Sequence, residues 1–152
     1  MIDPSVIHGS ESMVVLSSTD REALALLMTE VRFRSGDRVL MQDRRAPAAY
    51  MLIEGALHVE HRIGGHALTG RIERGEWFGV VSLCDGKEVT ASVHALTDVS
   101  LAALGRGDFE ELIRQADGLG ARLLRAWLRS LSFQLARVND ALVAMRQHRQ
   151  RR

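Results

Sequence analysis

A single cysteine in 152 residues, Cys84, excludes an internal disulfide and agrees with a reducing compartment. A lone thiol in such a chain is expected to behave as a small buried hydrophobe. No apolar run approaches the roughly 18 residues of a membrane span, and the start, Met1-Ile2-Asp3-Pro4-Ser5, lacks the basic and apolar regions of a secretory signal. The expectation is therefore a cytoplasmic protein with no membrane association. Hydrolase and nucleotidase chemistry lack a handle, because no glycine loop ends in Lys-Ser/Thr and no serine stands in a nucleophile-elbow context. Nor do strand-like and helix-like segments alternate, so a doubly wound parallel sheet is excluded.

What is present fits one globular domain. The chain is long enough to bury a real core but too short for several domains. Its net charge of +1 conceals a polarity. From Gly118 onward eight arginines face one acid, Asp140, giving +7, so the remainder carries −6. The terminal Arg146-Gln147-His148-Arg149-Gln150-Arg151-Arg152 has the composition of a tail for nucleic acid or an acidic surface. Arginine near a helix C-terminus is also favoured by the helix macrodipole, and a solvated helix end is the preferred reading.

Residues 1–18 show no sustained period and read as a loosely held arm. Ser18-Thr19-Asp20 opens a short helix, with Thr19 and Glu22 at capping-box spacing. From Val31 to Leu104 short β-like runs are separated by turn residues, including a hairpin signal at Gly64-Gly65. About eight such runs at even spacing predict an antiparallel eight-stranded β-roll, a jelly roll of the double-stranded β-helix kind that cupins share. Asp108 to Ile113 begins a helix, Gly118 and Gly120 flank a break, and a long helix runs from about Ala121 towards His148. Along it Leu124, Leu128, Leu131, Leu135, Val138, Leu142 and Met145 recur as a heptad stripe. Such a stripe must pack on its own roll or on a second copy. Trp127, Phe133 and Leu123 widen the apolar face beyond a narrow seam. The organisation is thus an arm at 1–18, a domain at 19–148 and a basic tail at 149–152.

Histidines 58, 61, 66 and 94 raise a cupin-like metal enzyme as a reading. Their spacing argues against it. His58 and Glu60 share a strand face whereas His61 points to the other, and no His-x-His with a suitably placed Glu occurs.

Four motifs stand in a fixed order: Phe33-x-x-Gly36-Asp37, Tyr50-Met51-Leu52-Ile53-Glu54-Gly55, Arg74-Gly75-Glu76-Trp77-Phe78-Gly79 and Ala91-x-Val93-x-Ala95-Leu96-Thr97-Asp98-Val99. Together they resemble the cyclic nucleotide-binding domain over about residues 30 to 145. The resemblance implies a phosphate-binding segment from Gly79 to Ala91. In that family a Glu and an Arg of this segment hold the ribose hydroxyl and the cyclic phosphate. The corresponding residues here are Val80 and Val89.

An arginine offers a rigid fork of donors to phosphate, and valine offers none. Leaving a buried charge unpartnered costs about 3–5 kcal/mol, or roughly two to three and a half decades of affinity. Thr90 stands where the family has Ser or Thr, and Lys87 lies two residues from the vacant Arg position. The candidate pocket is therefore Gly79, Val80, Lys87, Val89, Thr90, Ala91 and Gln134. Gln134 and Leu135 fall where the family's covering helix meets the base. Glu76 and Glu88 are further candidates for a ribose contact, with solvation as the default.

The resemblance also implies pairing of the long helix across a two-fold axis, so a homodimer is expected through Leu124, Leu128, Leu131, Leu135, Val138, Leu142 and Met145. The helix-turn-helix of catabolite-activator-type regulators is not found after the long helix, so DNA reading is not expected. The resulting expectation is a non-enzymatic regulatory module with weak or no cAMP and cGMP binding and no metal, acting through a protein partner or another small ligand. The alternative is a cyclic-nucleotide receptor that uses Thr90, loop amides and Lys87.

Overall fold

A computed structural model describes residues 1–8 and 10–151. Gly9 and Arg152, the last residue of the basic tail, lie outside the described residues. Among those described, eight antiparallel strands form two four-stranded sheets. They are β1 (Thr29–Phe33), β2 (Arg38–Leu40), β3 (Ala48–Glu54), β4 (Leu57–Ile63), β5 (His66–Ile72), β6 (Trp77–Phe78), β7 (Ser92–Ala95) and β8 (Val99–Gly105). The sheets run β1-β8-β3-β6 and β2-β7-β4-β5. This is the expected β-roll with flanking helices. Two-residue β6 falls in a stretch read as turn motif only, because two residues carry no alternation to detect.

Alternation sets the layers. Leu57, Val93 and Ala95 face inward, whereas His58 and His94, paired across β4 and β7, face outward. The expected hairpin joins β4 to β5 in unbroken register from Leu57↔Ile72 to Ile63↔His66. Gly64 and Gly65 both take positive φ, 53° and 83°, as a two-residue hairpin turn requires.

The N-terminal segment departs from the expected loose arm. Residues Pro4–His8 form α1 and Glu11–Val15 a 3-10 turn, and Ile7, Met13 and Leu16 are buried in the core. The period is undetectable because two single turns supply too few residues to show one. Helix α2 (Ser18–Leu27) is capped two residues earlier than expected. Ser17 Oγ accepts from Asp20 N–H at 3.1 Å and Asp20 Oδ2 accepts from Ser17 N–H at 3.3 Å.

Helix α3 spans Val80–Asp85, α4 Arg106–Arg114 and α5 Leu119–Gln150. The last runs through Arg149, so the expected tail at 149–152 begins as helix. Helix α5 has two halves. Leu119, Leu123, Ala126, Trp127 and Ser130 are buried, with Trp127 stacked on Phe109 of α4 at 5.3 Å and tilted on Trp77 of β6 at 5.4 Å. A side chain at Gly120 would meet the Leu112 carbonyl oxygen at 2.6 Å, so the crossing of α4 and α5 is as close as backbones allow. Beyond Gln134 every described residue is exposed, a stretch of about 24 Å at 1.5 Å per residue. The described residues include no helix long and apolar enough to cross a membrane.

Asp20 ties α2 to α5. Its carboxylate takes two bonds from Arg122, at 2.7 and 2.8 Å. These bonds and the cap hold its pKa below the usual carboxylate range, although burial opposes them. The unfolded chain therefore takes up this proton at higher pH than the native protein does. The stabilisation is complete above about pH 5 and is lost as pH falls through the native pKa. Asp20→Asn is expected to lower stability by about 1–2 kcal/mol at pH 7. In urea unfolding, the gap to the parent protein should close as pH is lowered from 5 towards 3.

Candidate ligand pocket beneath helix α5

The segment after β6 is shaped by a glycine that cannot be replaced. Gly79 sits at φ 76°, and a Cβ there would meet the Ala48 carbonyl oxygen at 2.9 Å. The chain then turns into α3, which ends at Gly86 with φ 71°. Val80 and Leu83 of α3 are buried.

Two sets of contacts hold this segment without any ligand. Buried Ser82 accepts from Ala46 N–H at 3.0 Å and donates to the Lys87 carbonyl at 2.5 Å. Arg106 Nη2 donates to the carbonyls of Ala46 and Ser82 at 2.9 and 3.3 Å. Further along, Val89 N–H donates to Arg44 O at 2.8 Å and Val89 O accepts from Asp43 N–H at 2.9 Å. The neighbours of Val89 are thereby fixed in space.

Between this segment, the second sheet and α5 lies a cavity of about 760 Å³. Gly79, Val80, Lys87, Val89, Thr90, Ala91 and Gln134 all line it. Its walls are largely aliphatic: Leu40, Val59, Ile72 and Val93 from the strands, Leu131 and Val138 from α5. Lys87 is exposed at the rim, its N–H bonded to the Asp85 carboxylate at 2.8 Å. Thr90 is exposed too, and its carbonyl accepts from His61 Nδ1.

Helix α5 is fastened over the cavity by contacts not foreseen from the sequence. Gln134 Nε2 donates to the Trp77 carbonyl at 3.1 Å. One turn on, Arg137 makes two bonds of 2.8 Å to Glu76, whose Oε1 also accepts from Glu73 N–H at 2.8 Å. Glu76 is thus neither a free ribose ligand nor a solvated carboxylate: it is a latch partner. The i, i+3 spacing of Gln134 and Arg137 could have signalled a shared face, but not which turn it would meet. Glu88 remains exposed at the rim.

Other residues singled out fall elsewhere. Cys84 is exposed, contrary to the buried hydrophobe expected, because it lies on the outer side of the six-residue α3. Partial desolvation of its sulfur, and after it the Asp85 carboxylate, push the thiol up, which is the reverse of an activated nucleophile. Among the described residues no three potential metal ligands converge. Of the apolar stripe on α5, Leu124 and Leu131 are partly buried, while Leu128, Leu135, Val138, Leu142 and Met145 are exposed.

Residues 30–116 match the family model described as cyclic nucleotide-binding domain. The chain belongs to that family. Among curated relatives, the cAMP-dependent protein kinase regulatory subunit of Emericella nidulans is 29% identical over 74% of this chain, and the match covers 28% of the relative's length. The chain thus spans little more than a quarter of such relatives. A cyclic nucleotide-binding domain from Methylobacillus flagellatus superimposes with a TM-score of 0.81, at 18% identity, over 93% of this chain and 80% of the other. A regulatory subunit of a cAMP-independent protein kinase A from Trypanosoma cruzi, bound to guanosine, superimposes with a TM-score of 0.68 at 20% identity, over 80% of this chain and 43% of the other.

Ser82 carries the local prediction. Ser82→Ala leaves the Ala46 N–H buried without its acceptor, at a cost of about 1–3 kcal/mol. Amide exchange should quicken at Ala46 and across residues 86–90 while the far sheet edge at β1 is unchanged.

Proposed function

We propose that this chain is a non-enzymatic regulatory module whose pocket does not serve cAMP or cGMP, and that it acts as a homodimer on a protein partner in response to a different small ligand. One observation carries this reading: Val80 and Val89 occupy the wall where the family resemblance puts the ribose and phosphate ligands. Neither side chain can replace water around an anion. The Ser82 and Val89 contacts support it further, since they position the segment without help from a bound phosphate. The guanosine-bound neighbour from Trypanosoma cruzi is a protein of the same fold occupied by a molecule without phosphate.

A second reading, a cyclic-nucleotide receptor anchored by Lys87 and Thr90, draws on the presence of both residues in the lining. Against it, Lys87 stands in an acidic setting, between Asp85 and Glu88. Titration of cAMP and cGMP against melting temperature separates the two. A ligand at 100 times its Kd adds about 2.7 kcal/mol, so saturable stabilisation at micromolar nucleotide would establish the receptor, whereas no shift is expected. The double variant Val80→Glu, Val89→Arg should then gain cAMP binding by at least about two decades.

The dimer rests on the exposed apolar stripe of α5, where Leu135, Val138, Leu142 and Met145 are each more than half exposed. Burying such side chains contributes about 1.5–3 kcal/mol each before entropic costs. Sedimentation should show a dimer that Leu135→Glu with Leu142→Glu converts to a folded monomer.

A further inference from the structure

The charge arrangement of the pocket restricts its occupant beyond the absence of a phosphate anchor. Three cationic side chains line it, Arg71, Lys87 and Arg137, against three carboxylates, Glu73, Asp85 and Glu88. Arg137 is already committed, since both of its terminal nitrogens bond Glu76. An entering anion thus meets two uncommitted cations and three carboxylates. It surrenders hydration among aliphatic walls and gains no net countercharge. An uncharged molecule incurs neither penalty.

The polar group set into the α5 wall is directional as well. A side-chain amide has one donor end and one acceptor end. Gln134 uses one of its two amide N–H donors on the Trp77 carbonyl, and its Oε1 has no partner among the described residues. The amide orientation is fixed by that carbonyl, which can only accept. What Gln134 can offer an occupant is therefore its unpartnered carbonyl acceptor, beside one remaining N–H.

Resting on the reading above that cyclic nucleotides are not the occupant, we infer that the pocket binds an uncharged, donor-bearing heterocycle of nucleoside size, read by Gln134 Oε1 through a ring N–H or exocyclic amine. The cavity of about 760 Å³ is in the range of small-molecule sites. The aliphatic walls cover the faces of the ring, and the acceptor selects its edge. A phosphate on the same molecule abolishes the fit because it meets Val89 and the rim carboxylates.

The test is calorimetric titration of the full chain with guanosine and adenosine beside cGMP and cAMP, repeated on Gln134→Leu and on the double variant Val80→Glu, Val89→Arg. The expected result is saturable binding of at least one nucleoside, at least tenfold tighter than its cyclic phosphate. Gln134→Leu should weaken that binding about tenfold or more while circular dichroism stays unchanged. Cyclic nucleotides binding as tightly as nucleosides would overturn both the inference and the reading beneath it. No nucleoside binding overturns the inference alone if the double variant still acquires cAMP affinity, since the scaffold and its missing anchors are then as described. Nucleoside binding that Gln134→Leu leaves intact overturns the recognition through Oε1.

Discussion

The structure around the pocket depends on how the backbone after β6 is satisfied. A segment that wraps a phosphate can let the ligand accept its N–H groups; one that wraps nothing charged must find those partners in the protein. Here the N–H groups of Lys87 and Val89 donate to the Asp85 carboxylate and the Arg44 carbonyl, while Ser82 and Arg106 donate to the segment's carbonyls at Lys87 and Ser82. The serine hydroxyl lies between the β2–β3 connection and the end of the cassette, and the guanidinium of Arg106, at the start of α4, gathers two carbonyls from the same place. Three chain segments distant in sequence are thereby joined at one buried point. The position of Val89, and with it the shape of the cavity floor, follows from that junction together with the backbone exchange at Asp43 and Arg44.

Helix α5 runs from the core out over this floor. Its first half belongs to the core, held by Trp127 between Phe109 and Trp77. In its second half Gln134 and Arg137 make the latch, Val138 and Ala141 line the cavity, and every described residue beyond Gln134 is exposed. The latch therefore sits at the boundary between a buried and an exposed stretch of one continuous helix. Exposed ion pairs are worth about 0–1 kcal/mol; this one is half exposed at Arg137 but mostly buried at Glu76 and two-pronged, which places it above that range.

Much of the fold was legible because it rests on repetition. Alternating residues gave the strands, the Gly64-Gly65 pair gave the hairpin, and the ordered glycine motifs pointed to the family. Elements without a period stayed hidden: β6 has two residues, α1 and the 3-10 turn one turn each. The cap at Ser17 was misplaced by two residues because Ser17, Ser18 and Thr19 are chemically equivalent as caps. The residues that the motif order singled out line one cavity. Its wiring was not legible, since Glu76–Arg137 and Ser82–Arg106 join residues whose types are common and whose separations encode nothing. Cys84 shows the same limit from the other side, for a composition rule that buries lone cysteines cannot know which side of a short helix faces water.

The uneven charge of the chain now has a structural location. The basic excess after Gly118 divides between the two halves of α5. Arg122 is consumed by Asp20 and Arg137 by Glu76, so two of the positive charges secure the helix to the acidic body. Arg146, Arg149 and Arg151 project from the free end with no acid near them in sequence. In a parallel pair of such helices these charges would converge, and like charges at close range oppose association. In such a pair the apolar stripe would have to outweigh a repulsion that salt relieves. A dimer of the proposed kind would therefore gain affinity as ionic strength rises, whereas an interface held by ion pairs would weaken.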